Sequence, residues 1–377
     1  MDKVRVLNIV PLGGIGGAEK FVLSLCRGHN KCRFETMVCV LFSGGVVSDQ
    51  IAREGYDVTV LNMANGFDLI RALRLIPIIR NRRIDIVNIH GQNPLGKLCS
   101  VLSGVPVIVH TDHGTTVGSP VTRRQRVVLF NRLLTPFIDH FIAISQGMKQ
   151  SLRLREKIPC EKITLIYNGV DVDAISKESC NKTELRKSLG IPQDIPVLGT
   201  VGRLAPEKQY PLLLKSLSIL KDQGIEFVAL IMGDGPDRRY LESLAKEMSL
   251  NDRVLFLGQR NDVIQLLELM DVFVFSSGGE AFSITLLEAM AKARPVVAFD
   301  VEGVNEAVVS GKTGYLIPFG DVDGFARKVK LLLESPMLAQ QMGQNAFERA
   351  RTHFDLSQNI GKLEALYAQL LIKRCSC

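Results

Sequence analysis

Short apolar runs alternate along the chain with longer stretches in which apolar residues recur every three or four positions. The first run, Val4–Val10, is followed by the glycine turn Gly13–Gly17 and by a helical pattern over Ala18–Cys26. The apolar runs are continuous and rich in Val and Ile, which is typical of parallel strands covered on both faces. A strand, a glycine turn and a helix open a βαβ unit. The pattern therefore predicts an α/β protein with parallel sheets.

The alternation pauses once, in the polar stretch Ser176–Lys187, which suits a linker running into a helix, and then starts again. Before the pause, strands are expected near residues 4–10, 35–41, 57–61, 84–90, 107–110 and 141–144. After it, strands are expected at Val197–Val201, Phe227–Met232, Val254–Leu257, Val272–Phe275, Val296–Ala298 and Gly314–Ile317. We therefore predict two doubly wound α/β domains in tandem, with a ligand cleft between their switch-point edges.

Length and composition agree with two soluble domains. The chain has 377 residues, 46% of them hydrophobic and 23% charged, which argues against disorder, collagen and coiled coil. No apolar run approaches the roughly 18–20 residues that span a bilayer, and the first ten residues lack the apolar region of a signal peptide. The eight cysteines show no paired zinc spacing. These features predict a cytoplasmic protein with reduced thiols.

Excess positive charge lies in the first half of the chain. Residues 1–175 carry 22 Lys and Arg against 14 Asp and Glu, and residues 176–377 carry 24 against 25. The excess is concentrated between Thr122 and Lys162, where Arg123, Arg124 and Arg126 precede an apolar run. Such a cluster favours an anionic membrane surface, with a solvated helix face as the alternative. Because the chain has no Trp and only 6 Tyr, we expect no nucleic-acid partner.

The glycine turn at 13–17 precedes a helix, so its backbone N–H groups can meet a phosphate. It does not match a dinucleotide fingerprint, because Glu19 stands where a third glycine belongs. The turn therefore predicts a phosphate or sugar ligand rather than a nicotinamide cofactor, and a simple tight turn remains the alternative.

Three loops in the second half carry candidate chemistry. Arg203 and Lys208 follow the strand at 197–201, where two cations suit a diphosphate, although either could be ordinary surface charge. Gly233–Pro236 makes a sharp turn at the next strand end. In the third loop, Glu280 precedes a helix for which Ser283 is the expected N-cap, and Glu288 lies inside that helix. The two carboxylates are roughly 8 Å apart along the axis, a separation that suits the sugar and the ribose of a nucleotide sugar.

Two further motifs leave alternatives open. His113 ends a predicted strand two residues after His110 and one after Asp112, and either histidine could be a buried structural one. Asp112 could position an acceptor. The pairs Asp171/Asp173 and Asp321/Asp323 have the spacing of a metal motif, but both lie in turn-like surroundings. With cations and a helix terminus available, we expect no metal and no other cofactor.

In this order, the motifs resemble the retaining glycosyltransferase family 4 with the GT-B fold. The set comprises Gly-Gly-x-Glu near the start, Gly-Arg-x5-Lys, Gly-x-Gly-Pro, Glu280-x7-Glu288 and Arg294-Pro295-Val296-Val297. The resemblance covers nearly the whole chain. It implies a GT-B architecture of two Rossmann-like domains, with the acceptor domain at 1–172, the nucleotide-sugar domain at 173–356, and the terminal helix 357–377 packing back on the first.

The resemblance also implies roles for individual residues. His113 and Glu280 would act at the transferring sugar, with Glu280 holding sugar hydroxyls. The implied donor-binding residues are Gly16, Gly17, Arg203, Lys208, Gly233, Phe282, Ser283, Ile284 and Glu288. Ala281 and Arg294 stand where the family usually has glycine, which leaves donor identity open.

The sequence therefore predicts a hexosyltransferase that moves a sugar from a nucleotide-diphosphate donor to a glycan or lipid-linked acceptor. Its expected setting is cell-surface polysaccharide or glycolipid synthesis at the inner face of the cytoplasmic membrane. A GT-B nucleotide-sugar epimerase and a non-catalytic sugar-nucleotide-binding homologue remain alternatives, and a nicotinamide enzyme is a weaker one.

Overall fold

The computed structural model describes residues 3–14, 16–114 and 133–375. Within these ranges the chain divides into two compact units. The first contains the described residues up to 169 together with those from Leu356 onwards, and the second contains Val170–Asp355. The sequence places the same division between residues 172 and 173.

The described part of the first unit contains a seven-stranded parallel sheet in the order β3-β2-β1-β4-β5-β6-β7. Its strands are β1 Val4–Val10, β2 Phe34–Val40, β3 Asp57–Val60, β4 Ile86–His90, β5 Val107–Asp112, β6 His140–Ala143 and β7 Ile163–Leu165. The described second unit contains a six-stranded parallel sheet in the order β10-β9-β8-β11-β12-β13. Its strands are β8 Val197–Val201, β9 Val228–Met232, β10 Val254–Gly258, β11 Val272–Phe275, β12 Val296–Phe299 and β13 Gly314–Ile317.

Helices connect the strands throughout the described ranges. In chain order they are α1 Gly17–Gly28, α2 Val46–Arg53, α3 Leu69–Ala72, α4 Leu75–Asn81, α5 Pro94–Ser103, α6 Gln146–Leu154, α7 Val172–Lys177, α8 Lys182–Ser188, α9 Tyr210–Asp222, α10 Arg238–Glu247, α11 Val263–Leu269, α12 Ile284–Ala291, α13 Val322–Glu334, α14 Pro336–His353 and α15 Leu356–Cys375. The predicted parallel α/β architecture is confirmed. The polar stretch 176–187 holds the end of α7 and most of α8, so it runs into a helix as its composition suggests.

The terminal helix α15 is part of the core of the first unit. Leu363 and Tyr367 are buried in one apolar cluster with Val109 of β5. The Tyr367 hydroxyl also accepts a hydrogen bond of 2.9 Å from the side chain of Asn88 in β4. Burial of aromatic and aliphatic side chains of this size stabilises the unit by roughly 1.5–3 kcal/mol each, so α15 is an integral element of the fold.

Each sheet reverses its strand order once, and that point marks the edge at which open α/β sheets bind ligands. In the first sheet the reversal separates β1 from β4, and in the second it separates β8 from β11. The loops that leave these four strands contain the glycine turn at 13–17, the segment after His90, the Arg203–Lys208 segment and the Glu280 loop. Topology thus brings the glycine turn to the switch point of the first unit, and the Arg203–Lys208 and Glu280 loops to that of the second.

The sequence predicts a basic membrane-binding cluster and no membrane-spanning segment. Arg123, Arg124 and Arg126 lie outside the described residues. Within the described helices, none is long and apolar enough to cross a membrane.

Candidate functional site

The loop after β8 packs directly on the loop after β9. The backbone N–H of Gly202 donates to the carbonyl of Met232 at 2.9 Å, and that of Leu204 donates to Asp234 at 3.0 Å. Gly233 has φ of +133°, and a Cβ placed there would lie 1.9 Å from the carbonyl oxygen of Gly202. Because only glycine fits this contact, Gly233 allows the two loops to touch.

The loop after β11 is fastened to the same place. The hydroxyl of Ser276 donates to the carbonyl of Lys208 at 2.8 Å, and the N–H of Gly278 donates to the carbonyl of Glu207 at 2.9 Å. Farther along, the N–H of Glu280 donates to the carbonyl of Glu302 at 3.2 Å. Loops that follow three different strands therefore converge at the carboxyl edge of the second sheet.

This convergence joins Lys208 and Glu280, which are separated by 72 residues, in an ion pair. Their side chains are only 21% and 13% exposed, so the pair is partly withdrawn from water. The ammonium group also lies 5.8 Å from the ring centre of Phe275. No residue near Lys208 in the sequence indicates this partner, because the two residues meet only in the folded chain.

Arg203 differs from Lys208 in its surroundings. Its side chain is exposed, in the loop that leaves β8, and within the described part of the chain it has no ion-pair or hydrogen-bond partner. The loop after β8 thus carries an exposed guanidinium and a partly buried ammonium, both of which can donate to an anion.

Helix α12 begins at the same edge. Ser283 occupies the N-cap position, as predicted, but its side chain does not cap the helix. Its hydroxyl instead lies 3.1 Å from that of Thr285, which in turn bonds the carbonyl of Val201 at 3.2 Å. The first-turn N–H groups are therefore not satisfied by a serine cap and can face an anion. Ile284 is the first helical residue of this turn.

Phe282 and Glu288 lie on either side of this helix start. The Phe282 side chain is 5% exposed, with its ring centre 5.2 Å from that of Phe354, so only its backbone can meet a ligand. Glu288 lies inside α12 and is half-buried.

In the first unit, Gly16 and Gly17 form the start of α1. Gly16 is the N-cap residue in extended conformation, and Gly17 is the first helical residue. A Cβ added at Gly17 would meet no described atom within 4 Å. The fold does not require glycine there, which favours a ligand as the reason for the small residue. Glu19, in the first turn, is buried, and desolvation raises the pKa of its carboxyl group.

His113 follows β5 and belongs to a hydrogen-bonded chain that the sequence pattern does not reveal. His90, the last residue of β4, has its Nδ1 atom 2.9 Å from Nε2 of His113 and its Nε2 atom 3.0 Å from the side-chain oxygen of Asn8. An amide oxygen only accepts, so His90 donates from Nε2 and accepts at Nδ1. His113 consequently donates from Nε2. Its Nδ1 atom is buried, with no partner among the described residues, and is left as an acceptor.

Burial keeps these imidazoles neutral. Desolvation lowers the pKa of His113 to about 4, and desolvation together with the neighbouring His113 lowers that of His90 well below its usual value. His110, by contrast, is fully buried inside β5, where its Nε2 lies 3.0 Å from the carbonyl oxygen of Gly91. Of the two histidines, His113 is the one placed at the strand end. Asp112 is buried and accepts a hydrogen bond from the N–H of Gly114.

The two Asp-x-Asp patterns have a structural explanation. Asp171 caps α7 by accepting from the N–H of Ala174, and Asp321 caps α13 by accepting from the N–H of Gly324. N-cap aspartates of this kind are common and need no metal. Within the described ranges, no group of three or more His, Cys, Asp or Glu side chains could hold a metal ion.

Asn8 and His90 are candidate site residues, because they hold His113, and the sequence pattern does not indicate them by itself. A signal for His90 exists, since it ends a predicted strand, as His113 does. Carboxyl ends of neighbouring parallel strands meet at one sheet edge, so two histidines at such ends can pair if the strands are adjacent. The pattern alone does not show which strands are neighbours in the sheet, and here β4 and β5 are neighbours.

Comparison with known proteins places the chain in a family. Residues 15–174 match the profile of Glycosyltransferase Family 4, and residues 181–349 match that of Glycosyl transferases group 1. The chain is 28% identical to the UDP-Gal:alpha-D-GlcNAc-diphosphoundecaprenol alpha-1,3-galactosyltransferase of Escherichia coli, over 99% of each chain. It is also 28% identical to the N-acetyl-alpha-D-glucosaminyl L-malate synthase of Bacillus anthracis, over 81% of this chain and 80% of that protein.

A solved structure supports the same fold. The crystal structure of Anabaena Alr3699/HepE in complex with UDP has a TM-score of 0.84 and 22% identity, and the match covers 98% of this chain and 100% of that one. Two family profiles that together span most of the chain, with two parallel-sheet units, show that the protein belongs to the group 1, family 4 glycosyltransferases of the GT-B fold and is a hexosyltransferase-type enzyme.

Proposed function

We propose that the enzyme transfers a hexose-type residue from a nucleotide-diphosphate sugar to a glycan or lipid-linked acceptor, with retention at the anomeric carbon. The observation that carries this proposal is the Lys208–Glu280 pair beside the start of α12. A cation for phosphate, a carboxylate for sugar hydroxyls and a helix N-terminus for negative charge meet at one sheet edge.

Each part of a nucleotide sugar has a matching group in the second unit. The diphosphate would lie against Lys208, Arg203 and the first turn of α12, and the sugar hydroxyls against Glu280. Glu288, inside the helix, would accept from the ribose hydroxyls. Positive charge is thus already present where a metal ion would otherwise be required, and we infer that the enzyme uses none.

The first unit would contribute Gly16, Gly17 and His113. The N-terminus of α1 offers backbone N–H groups to a phosphate, and the open space at Gly17 leaves room for close approach. The unprotonated Nδ1 of His113 would accept a hydrogen bond from a sugar hydroxyl.

We propose that the transfer follows a front-face substitution. The bond between the anomeric carbon and the diphosphate oxygen breaks as the bond from that carbon to the acceptor oxygen forms on the same face. The proton of the acceptor hydroxyl passes to the leaving diphosphate oxygen, so atoms and charge balance. Lys208, Arg203 and the α12 N-terminus would stabilise the negative charge that develops on the diphosphate.

Among the acceptor classes, a lipid-linked one has the stronger support. The name of the Escherichia coli relative describes a diphosphoundecaprenol-linked acceptor, and that relative matches over 99% of each chain. The Bacillus anthracis relative, whose name describes a malate product, matches over a smaller part. We therefore infer a role in polysaccharide or glycolipid synthesis.

The test is donor consumption measured over a panel of UDP-, GDP- and ADP-sugars, with and without a diphosphoundecaprenol-linked acceptor. We expect nucleoside diphosphate to appear only when donor and acceptor are both present. The anomeric coupling constant of the product, measured by NMR, would match that of the donor. Inverted product contradicts retention. Sugar epimers formed without acceptor would favour an epimerase instead.

A further inference from the structure

Exposed apolar side chains cluster on one segment of the first unit. Phe67, Leu69, Ile70 and Leu73 are 58%, 47%, 81% and 41% exposed, and all four lie within seven consecutive positions. Single exposed apolar residues are common on protein surfaces, but a contiguous group marks an interaction surface.

The backbone places the most exposed of these residues on one helical face. Helices α3 and α4 are joined by Leu73 and Arg74, which both have right-handed helical angles. Spacings of three, four and seven therefore put Ile70, Leu73, Arg74 and Pro77 on the same side, and all four are exposed. We call these four residues, with Phe67 and Leu69, the α3–α4 surface.

The opposite side of this helical segment already has its partner. Ala72, Leu75 and Ile79 are 0%, 0% and 2% exposed, and α4 packs on α5. The segment thus has apolar side chains on two sides, and the core of the unit explains only one of them.

The charge around the α3–α4 surface is mostly positive, although Arg71 and Arg82 are paired with Asp68 and Asp57. Between residues 65 and 83 there are five arginines and one acidic residue, Asp68. Asp68 is occupied, since it caps α3 and pairs with Arg71. Arg74 is exposed beside Ile70 and Leu73, and Arg83 is exposed at the end of the segment. Apolar side chains bordered by arginine match the boundary between acyl chains and anionic head groups.

We propose that the α3–α4 surface docks the enzyme on an anionic lipid bilayer, with Phe67, Ile70 and Leu73 inserted and Arg74 against the head groups. This inference deepens the proposed function, because it places the enzyme where a lipid-linked acceptor resides. Only the purpose of the docking rests on the proposed function. The lipid contact itself is inferred from the exposed apolar side chains and the positive charge. The surface lies outside the residues assigned to the donor.

The experiment is co-sedimentation of the full chain with vesicles of phosphatidylglycerol and phosphatidylcholine, and with vesicles of phosphatidylcholine alone. The parent should bind the anionic vesicles, and about 0.5 M salt should weaken this binding. Phe67→Ser/Ile70→Ser should lower the partition coefficient by at least about tenfold, because two inserted side chains are lost. Arg74→Ser should lower it several-fold, by about the contribution of one basic residue near the surface.

A matched control is available in the second unit. Tyr240 and Met337 are 56% and 80% exposed, close to the values for Phe67 and Ile70. Tyr240→Ser/Met337→Ser removes a similar exposed apolar area and should leave vesicle binding unchanged. Thermal unfolding of both double variants verifies that each one folds.

Three results would overturn the proposal. They are failure of the parent to bind anionic vesicles, equal binding by the parent and Phe67→Ser/Ile70→Ser, and a dimer in analytical ultracentrifugation that the same double variant dissociates. Calorimetry with UDP-glucose and GDP-mannose separates this inference from the proposed function. A parent that binds vesicles but neither sugar nucleotide would retain the docking surface and lose the function.

Discussion

The ammonium group of Lys208 and the carboxylate of Glu280 form one partly buried ion pair, although the sequence assigns them to different parts of the ligand. Lys208 is expected at the diphosphate and Glu280 at the sugar. A diphosphate that draws Lys208 toward itself would leave the Glu280 carboxylate available to sugar hydroxyls. In the proposed function, the pair would therefore link recognition of the leaving group to recognition of the transferred group.

Lys208→Ala is expected to weaken donor binding by about 10- to 100-fold, because a charge-assisted hydrogen bond of roughly 1.5–3 kcal/mol is lost. Calorimetric titration with the preferred nucleotide sugar measures the effect. Lys215→Ala is the control, since Lys215 is an exposed lysine on α9. Equal affinity in the parent and Lys208→Ala would remove Lys208 from the donor site.

A double-mutant cycle with Glu280→Gln tests the coupling. If the two residues act on the donor as a pair, the double variant should lose less affinity than the two single losses combined. Additive losses would instead mean that each residue meets the donor independently.

Substitution of two glycines by alanine should distinguish a glycine needed for stability from one needed for donor binding. Gly233→Ala places a Cβ 1.9 Å from the carbonyl oxygen of Gly202 at φ of +133°, so the free energy of unfolding should fall by more than about 1 kcal/mol. Gly17→Ala meets open space at the start of α1 and should leave the protein as stable or slightly more stable. Chemical denaturation of the two variants measures both effects.

The same Gly17→Ala variant should bind donor more weakly if α1 receives a phosphate, because the added methyl occupies the approach to the N–H groups. A stable variant with unchanged donor affinity would mean that Gly17 has no part in the site.

The pattern of residues predicts the strands of this fold closely because buried parallel strands are short, continuous and rich in Val and Ile. Strands β1, β8, β11 and β13 have the predicted bounds. What the pattern lacks is strand adjacency. The Lys208–Glu280 pair depends on β8 lying beside β11, and the His90–His113 contact depends on β4 lying beside β5. Both contacts join residues that are distant in sequence, so no local signal reveals them.

The preference of a residue type for the N-cap position does not always predict which group its side chain bonds. Ser283 matches the residue type and position of an N-cap, yet its hydroxyl turns to Thr285. A capping preference is a tendency of the residue type, and here a neighbouring hydroxyl is the partner of the serine instead. Asp171 and Asp321 show the reverse case, in which the cap is formed and a metal interpretation is unnecessary.

Turnover should persist in excess EDTA at a rate close to that with Mg²⁺. The reason is that, in the proposed function, Lys208, Arg203 and the α12 N-terminus would provide the charge that a divalent ion supplies in other diphosphate sites. Initial rates with EDTA, and after adding back Mg²⁺ or Mn²⁺, measure this directly. An enzyme silenced by EDTA and restored by either ion would show that a metal takes part.

Acid should destabilise the first unit through its buried histidines. Desolvation lowers the pKa of His29 to about 4, so between pH 6.5 and about 4 the unfolded chain binds a proton that the native chain does not. The free energy of unfolding should therefore decrease as the pH falls through this range. His29→Gln should reduce that slope by up to about 1.4 kcal/mol per pH unit. Urea denaturation of the parent and of His29→Gln at pH 7 and pH 5 measures how the free energy of unfolding changes with pH in each protein. An equal change in both proteins would contradict the assignment.

His113 should stay neutral at pH values where an ordinary histidine takes up a proton. Burial lowers its pKa to about 4, and the ring of His90 helps to exclude water from it. The Cε1 resonance of His113, followed by NMR, should not titrate between pH 8 and about 5. In His90→Ala, water reaches the imidazole, and its pKa should move toward 6.5. Donor affinity should follow the same shift, because protonated Nδ1 donates where the neutral ring accepts. A parent His113 that titrates near pH 6.5 would contradict both the burial argument and the assignment of Nδ1 as an acceptor.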